Sequence, residues 1–132
     1  MTYLAAAGLQ TALYSCLTGL AELEGIPVLD ALPQNVPDTY VLIGAEEVRD
    51  ASDSSGPGGI HQVVISIISA AAGFLQGKEI AGAICRQVPE ARLDLSQGAS
   101  VVSVAFSRAE ARRIAAGRIR RIDLTFRIRV QG

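Results

Sequence analysis

His61, Cys16 and Cys85 are the only imidazole and thiol side chains in this 132-residue chain. Cysteine–histidine nucleophilic chemistry is therefore the first to weigh. Such a pair needs a thiolate environment and a third group to orient the imidazole. His61 begins a strand beside a glycine-rich loop, with Cys85 and Asp30 as candidate partners. The helical neighbours of Cys85 are apolar, and no glycines bracket it as an oxyanion hole. His61 therefore reads as an edge-strand histidine, and both cysteines read as small buried hydrophobes. Glu46 and Glu47 are neighbours on a strand and point to opposite faces, a poor arrangement for an acid–base pair. Gly56-Pro57-Gly58-Gly59 leads into a strand at Ile60, not a Lys-bearing helix, so it is no phosphate cradle. The HExxH, GxSxG, Walker A and CxxC patterns are absent, as is any cluster of metal-ligating side chains. The chain reads as non-catalytic, with no cofactor or metal.

The remaining chemistry is charge. A net charge of −1 hides a strong segregation. Residues 1–60 sum to −7, residues 61–107 to zero and residues 108–132 to +6. Eleven of the twelve bases are Arg, the residue best suited to planar bidentate pairing with carboxylate or phosphate. Two groups stand out as candidate contact residues: Arg108, Arg112, Arg113, Arg118, Arg120 and Arg121 on one side, Glu46, Glu47, Asp50 and Asp53 on the other. The basic group could meet phosphates, meet an acidic surface on a partner or another copy, or simply coat the solvent face of a terminal strand. A chain built to grip DNA is usually basic overall, and this one is not.

At this length one domain with its own core is expected, spanning residues 1–132. Apolar residues at 49% and charged residues at 19% exclude a disordered tail. Aromatics at 5%, with no Trp, exclude an aromatic platform for single-stranded nucleic acid. The longest run of apolar and small residues, Val63 to Leu75, is broken by Ser66, Ser69 and Gly73 and falls short of the roughly 20 residues of a membrane span. No Lys or Arg precedes the first apolar residues, unlike a secretory signal. A soluble intracellular domain without a membrane partner is expected.

These residues must be held by regular elements. Leu9, Leu13, Cys16, Leu17 and Leu20 form a stripe of helical period, predicting a helix over residues 2–21 that ends at Gly25 and Pro27. Residues 28–38, interrupted by Pro33 and Pro37, suit an edge segment or connector. A strand follows over Tyr40–Val48, then a flexible polar loop over residues 50–59. Ile60–Ala70 is apolar on both parities, which predicts a strand covered on both faces. Phe74–Val88 returns to helical spacing, with Gly77 and Gly82 marking close packing or fraying and Pro89 closing it. A short strand is expected over residues 92–95 and another over Ser100–Ser107, with Val102, Val104 and Phe106 facing one way. Arg108–Gly117 reads as a basic connector with room for a helical turn. In the last strand Ile122, Leu124, Phe126, Ile128 and Val130 alternate with polar residues. The order predicts an α+β fold, an antiparallel sheet with two helices packed on one face, in a single domain.

This pattern resembles the tail terminator, or tail-completion, family of long-tailed phages and gene transfer agents. The resemblance covers nearly the whole chain. It lies in Leu9-Gln10-Thr11-Ala12-Leu13-Tyr14, in Asp30-Ala31-Leu32-Pro33-Gln34 followed by Tyr40-Val41-Leu42-Ile43-Gly44, and in the helix from Gly77 to Val88 with Ala81 and Ile84 at its core. The stretch Asp30–Gly44 is its most specific part, because Pro-Gln ahead of a Tyr-Val strand ending in Gly is typical of that family. The departure is at Ile67, Ile68 and Ser69, where such proteins often carry Trp before the second helix. The resemblance implies a homo-hexameric ring that caps the tail tube and joins it to the head–neck connector or stopper protein. It also implies assembly in the bacterial cytoplasm into a particle, at the neck or top of the tail. DNA would be met only as non-specific passage through the channel, with the Arg cluster away from it. Contacts between copies, or with the tube and neck proteins, would match the Arg-rich segment 108–121 to the acidic stretch 46–53. The alternatives are a neck stopper, a tail-tube subunit, a small Cys/His enzyme and a nucleic-acid-binding module using the Arg segment.

Overall fold

The computed structural model describes residues 2–70, 73–95 and 98–132. Two helices, α1 (Ala5–Thr18) and α2 (Leu75–Gln87), lie on one face of a five-stranded sheet. The strands are β1 (Val28–Leu29), β2 (Thr39–Asp50), β3 (Gly58–Ser69), β4 (Ser100–Ile114) and β5 (Ile119–Gln131). Their order across the sheet is β1-β2-β3-β5-β4. All neighbours are antiparallel except β1, which runs parallel to β2 through Val28↔Val41 and Leu29↔Leu42. The expected α+β architecture is present.

The core follows from two periodicities. On α1, Leu9, Leu13 and Leu17 are spaced by one turn and are fully buried. On the sheet, alternate residues face the helices: Val41 and Ile43; Val63, Ile65 and Ile67; Ile122, Leu124, Phe126, Ile128 and Val130. Burying each such side chain contributes roughly 1.5–3 kcal/mol relative to leaving it exposed. Gly77 lets α2 approach closely, since a Cβ there would lie 3.2 Å from Ile122 Cδ1. At Gly82 no atom lies within 4 Å of such a Cβ, so only the first glycine serves packing.

The structure differs from the sequence reading at five places. Residues 92–95 form no strand, yet Leu93 and Leu95 are buried in the core, so their alternation reflects anchoring of a connector. The segment Arg108–Ile114 is not a connector but the second half of β4, and the turn falls at Ala115, Ala116 and Gly117, all with positive φ. Charged side chains are tolerated along it because β4 is an edge strand. Shifts in register between Val101 and Ser103 and between Phe106 and Arg108 break the simple parity. The helix-side residues are therefore Val101, Val104 and Phe106, with Ala109 and Ala111 beyond them. His61 lies on β3, flanked by β2 and β5, and is fully buried, not on an edge. Finally, the loop 50–59 is shorter and more ordered than expected. The strands reach Asp50 and start again at Gly58, and Asp53 and Gly56 exchange backbone hydrogen bonds at 3.0 and 3.1 Å.

Candidate functional site

The registers decide where the charges go. β2 starts level with the β4–β5 turn and finishes level with the start of β4, with two strands between, as the rows Thr39↔Ser69↔Arg120 and Asp50↔Gly59↔Val130 require. Arg112, Arg113, Arg118, Arg120 and Arg121 therefore gather at one end of the sheet, around a turn on its β4 side. Glu47, Asp50 and Asp53 sit towards the other end, on the β2 side. Among the described residues no ion pair joins the stretch 108–121 to the stretch 46–53. The two groups occupy diagonally opposite corners of one sheet.

The basic group is split between the two faces of its hairpin. On the helix side, Arg113 and Arg120 pair across the strands, and their guanidinium carbons lie 5.8 and 5.9 Å from the centre of the Phe74 ring. Lys78 reaches the same ring at 5.7 Å. Three cations on one ring give cation–π attraction, offset by their mutual repulsion. On the opposite face, Asp123 is the hub. It accepts from Ser66 Oγ at 2.6 Å, from Arg121 Nε at 2.9 Å and from Arg112 Nη2 at 3.2 Å. Burial raises the Asp123 pKa, but the Ser66 hydroxyl and the two guanidinium groups outweigh it and hold the carboxyl below its ordinary value. Arg108 lies 3.5 Å from Glu110, with both side chains more than half exposed. Arg118 stands exposed on the turn.

The acids are also individually engaged. Glu47 pairs with Arg49 at 2.7 Å, and Asp50 accepts from Ser52 at 2.7 Å. Asp53 accepts from the Ser55 hydroxyl and amide and lies 3.7 Å from Arg129; those hydrogen bonds, led by the hydroxyl, lower its pKa. Glu46 turns to the helix side, with Oε2 3.5 Å from His61 Nδ1. His61 Nε2 is buried with no hydrogen-bond partner among the described residues. The imidazole is thus not brought to Cys85 or Asp30; Asp30 instead accepts from Gln10 at 3.0 Å. Burial raises the pKa of both Cys16 and Cys85, the opposite of what an activated thiol needs.

Sequence reading missed the Asp123 hub, though a signal existed. Asp123 is the lone acid on a strand parity otherwise holding Arg121, Thr125, Arg127 and Arg129. The Phe74 platform had no such signal, because it joins the start of α2 to a hairpin some forty residues on. The grooves beside residues 91–95 offer Arg92 and Asp94 as their only charged lining residues. Among the described residues no group of three or more His, Cys, Asp or Glu could hold a metal ion, and no helix is long and apolar enough to cross a membrane.

Fold and surface together define a class: an α+β module whose charged groups are displayed at two separated corners. The chain belongs to the tail completion protein gp17 family, whose model matches residues 11–131. Among solved structures it is similar to a chain of the virion of a native gene transfer agent particle. The two are 44% identical with a TM-score of 0.91, over 99% of this chain and 100% of that one. No curated protein matches.

Proposed function

We propose that this chain is a structural protein of a tailed particle, assembled as a closed ring at the top of the tail tube. There it joins the tube to the head–neck connector, and DNA passes through the centre without base-specific contact. The family match supports the tail-completion role, and likeness to a chain of a gene transfer agent virion supports the particle. The observation that carries ring assembly is the diagonal separation of charge. A basic corner and an acidic corner that cannot meet within one chain can meet between chains. Such a heterologous contact, repeated, closes into a ring when the rotation allows.

The test is native mass measurement of the purified chain together with an image of the assembled particle. A single closed ring of defined mass is expected. Long stacked tubes would instead assign a tube subunit, and a strictly solitary chain at high concentration, even beside tube and connector proteins, would overturn the assignment. The charge contact is probed by replacing Arg108, Arg113 and Arg118 with Ser. These three are chosen because Arg112 and Arg121 hold Asp123 within the fold. The variant is expected to stay folded and to lose assembled particles.

A further inference from the structure

Large apolar side chains are exposed along both edges of the sheet. On the β1 side, the irregular segment 30–38 presents Leu32 at 59% and Val36 at 50% exposure. On the β4 side, Val102 is 53% and Phe106 46% exposed. Phe106 meets Phe126 of the core edge-on, at 6.0 Å between ring centres. α2 packs over β3 and β5 while α1 lies towards β1, and the helix-side residues of β4 past Phe106, Ala109 and Ala111, are exposed. β1, from which segment 30–38 leads off, is level with the Glu110–Ala111 stretch of β4. The rows Val28↔Val41↔Ile67↔Ile122↔Ala111 and Leu29↔Leu42↔Ser66↔Asp123↔Glu110 carry β1 straight across to this part of β4. The two patches are opposite in charge as well. Segment 30–38 holds Asp30 and Asp38 and no base, whereas the helix-side face of β4 carries Arg113 beyond Phe106, Ala109 and Ala111.

The geometry points to segment 30–38 of one copy seating on the uncovered helix-side face of β4 in the next copy. Leu32 and Val36 rest on Phe106 and Ala109, and Asp30 and Asp38 face Arg113 on the same face of β4. Leu32 and Val36 each precede a proline, Pro33 and Pro37, which holds them extended and lowers the entropy lost on docking. Pro33 and Pro37 have no N–H to donate, so the contact is made by side chains and not by a continuous added strand. Because the patches lie on opposite edges, each copy uses both at once, as a head-to-tail ring requires. This inference rests on the proposal that copies associate, and it names the surfaces.

The test is cross-linking of the full-length double variant V36C/A109C with a short bismaleimide. Both positions are exposed. A ladder of covalent multimers is expected, absent from V36C alone, A109C alone and the parent with its Cys16 and Cys85. Native assembly without a ladder above the parent level overturns this contact while leaving ring assembly intact. A parent chain that stays solitary at high concentration overturns both. A second variant, L32D/V36D, is expected to weaken self-association at least tenfold with an unchanged circular dichroism spectrum; unchanged self-association overturns the contact.

Discussion

Asp123 gathers a hydroxyl and two guanidinium groups on the face of the sheet turned away from the helices. Its folded-state pKa is lowered, so the stability it contributes is fully present above the unfolded carboxylate value of about 3.9 and is lost as pH falls through the folded value. Asp123→Asn is therefore expected to cost about 1–3 kcal/mol near neutral pH, because Arg121 and Ser66 lose an ionised acceptor in a half-buried setting. The cost should shrink on acidification below about pH 4. Thermal unfolding of parent and variant across that range checks this; a constant gap down to about pH 2 would contradict it. Glu22 and Asp53 also have lowered pKa values, Glu22 chiefly through a backbone hydrogen bond and Asp53 chiefly through Ser55. The variant should accordingly keep part of the parent's acid sensitivity. At this scale the sequence was legible where side-chain type alone decides, as with two thiols on apolar helix faces. His61 was not, because its burial depends on β3 lying between two strands.

The elements carry a sharper contrast between two glycines on α2. Gly77 faces Ile122 and Ile67, while Gly82 faces open space. Gly82→Ala is expected to stabilise the protein by about 0.5–1 kcal/mol, through helix propensity and reduced freedom of the unfolded chain. Gly77→Val is expected to destabilise it by about 1–3 kcal/mol, by forcing α2 off the sheet. Urea unfolding of both variants checks the pair; equal effects would mean that α2 does not pack as described. Periodicity found β5 and both helices because each buries one regular set of side chains, and β2 and β3 were legible as apolar, β-branched runs bounded by polar residues and glycine. It failed on the second half of β4 for a physical reason. An edge strand outside the helix layer has no buried face along Arg108–Arg113, so nothing forces polar and apolar residues to alternate there.

As a whole, the molecule is polar along the strand direction and across the sheet, with basic and acidic corners at opposite extremes. Exposed charges act mainly on encounter rates and are screened over roughly 8–10 Å at physiological salt. If the corners steer copies together while apolar patches hold them, assembly should slow at least severalfold between about 0.05 and 0.5 M salt. The assembled fraction at equilibrium should fall much less. Light scattering after a concentration jump, at several salt concentrations, separates rate from extent. An equally large loss of both would show that charge alone holds the assembly.

Local rules were enough to determine the elements that bury a face, the segregation of charge along the chain and the α+β class. Hydrophobic period is written residue by residue, and net charge is a simple property of each segment. Strand order and register are not local, and they alone decided that β4 runs on through Arg108–Ile114, that Asp123 gathers its partners and that His61 is enclosed. They also set the two charged stretches at opposite corners. Pairing across a sheet joins residues far apart in the chain, so which side chains become neighbours is fixed only once the strands have found their places.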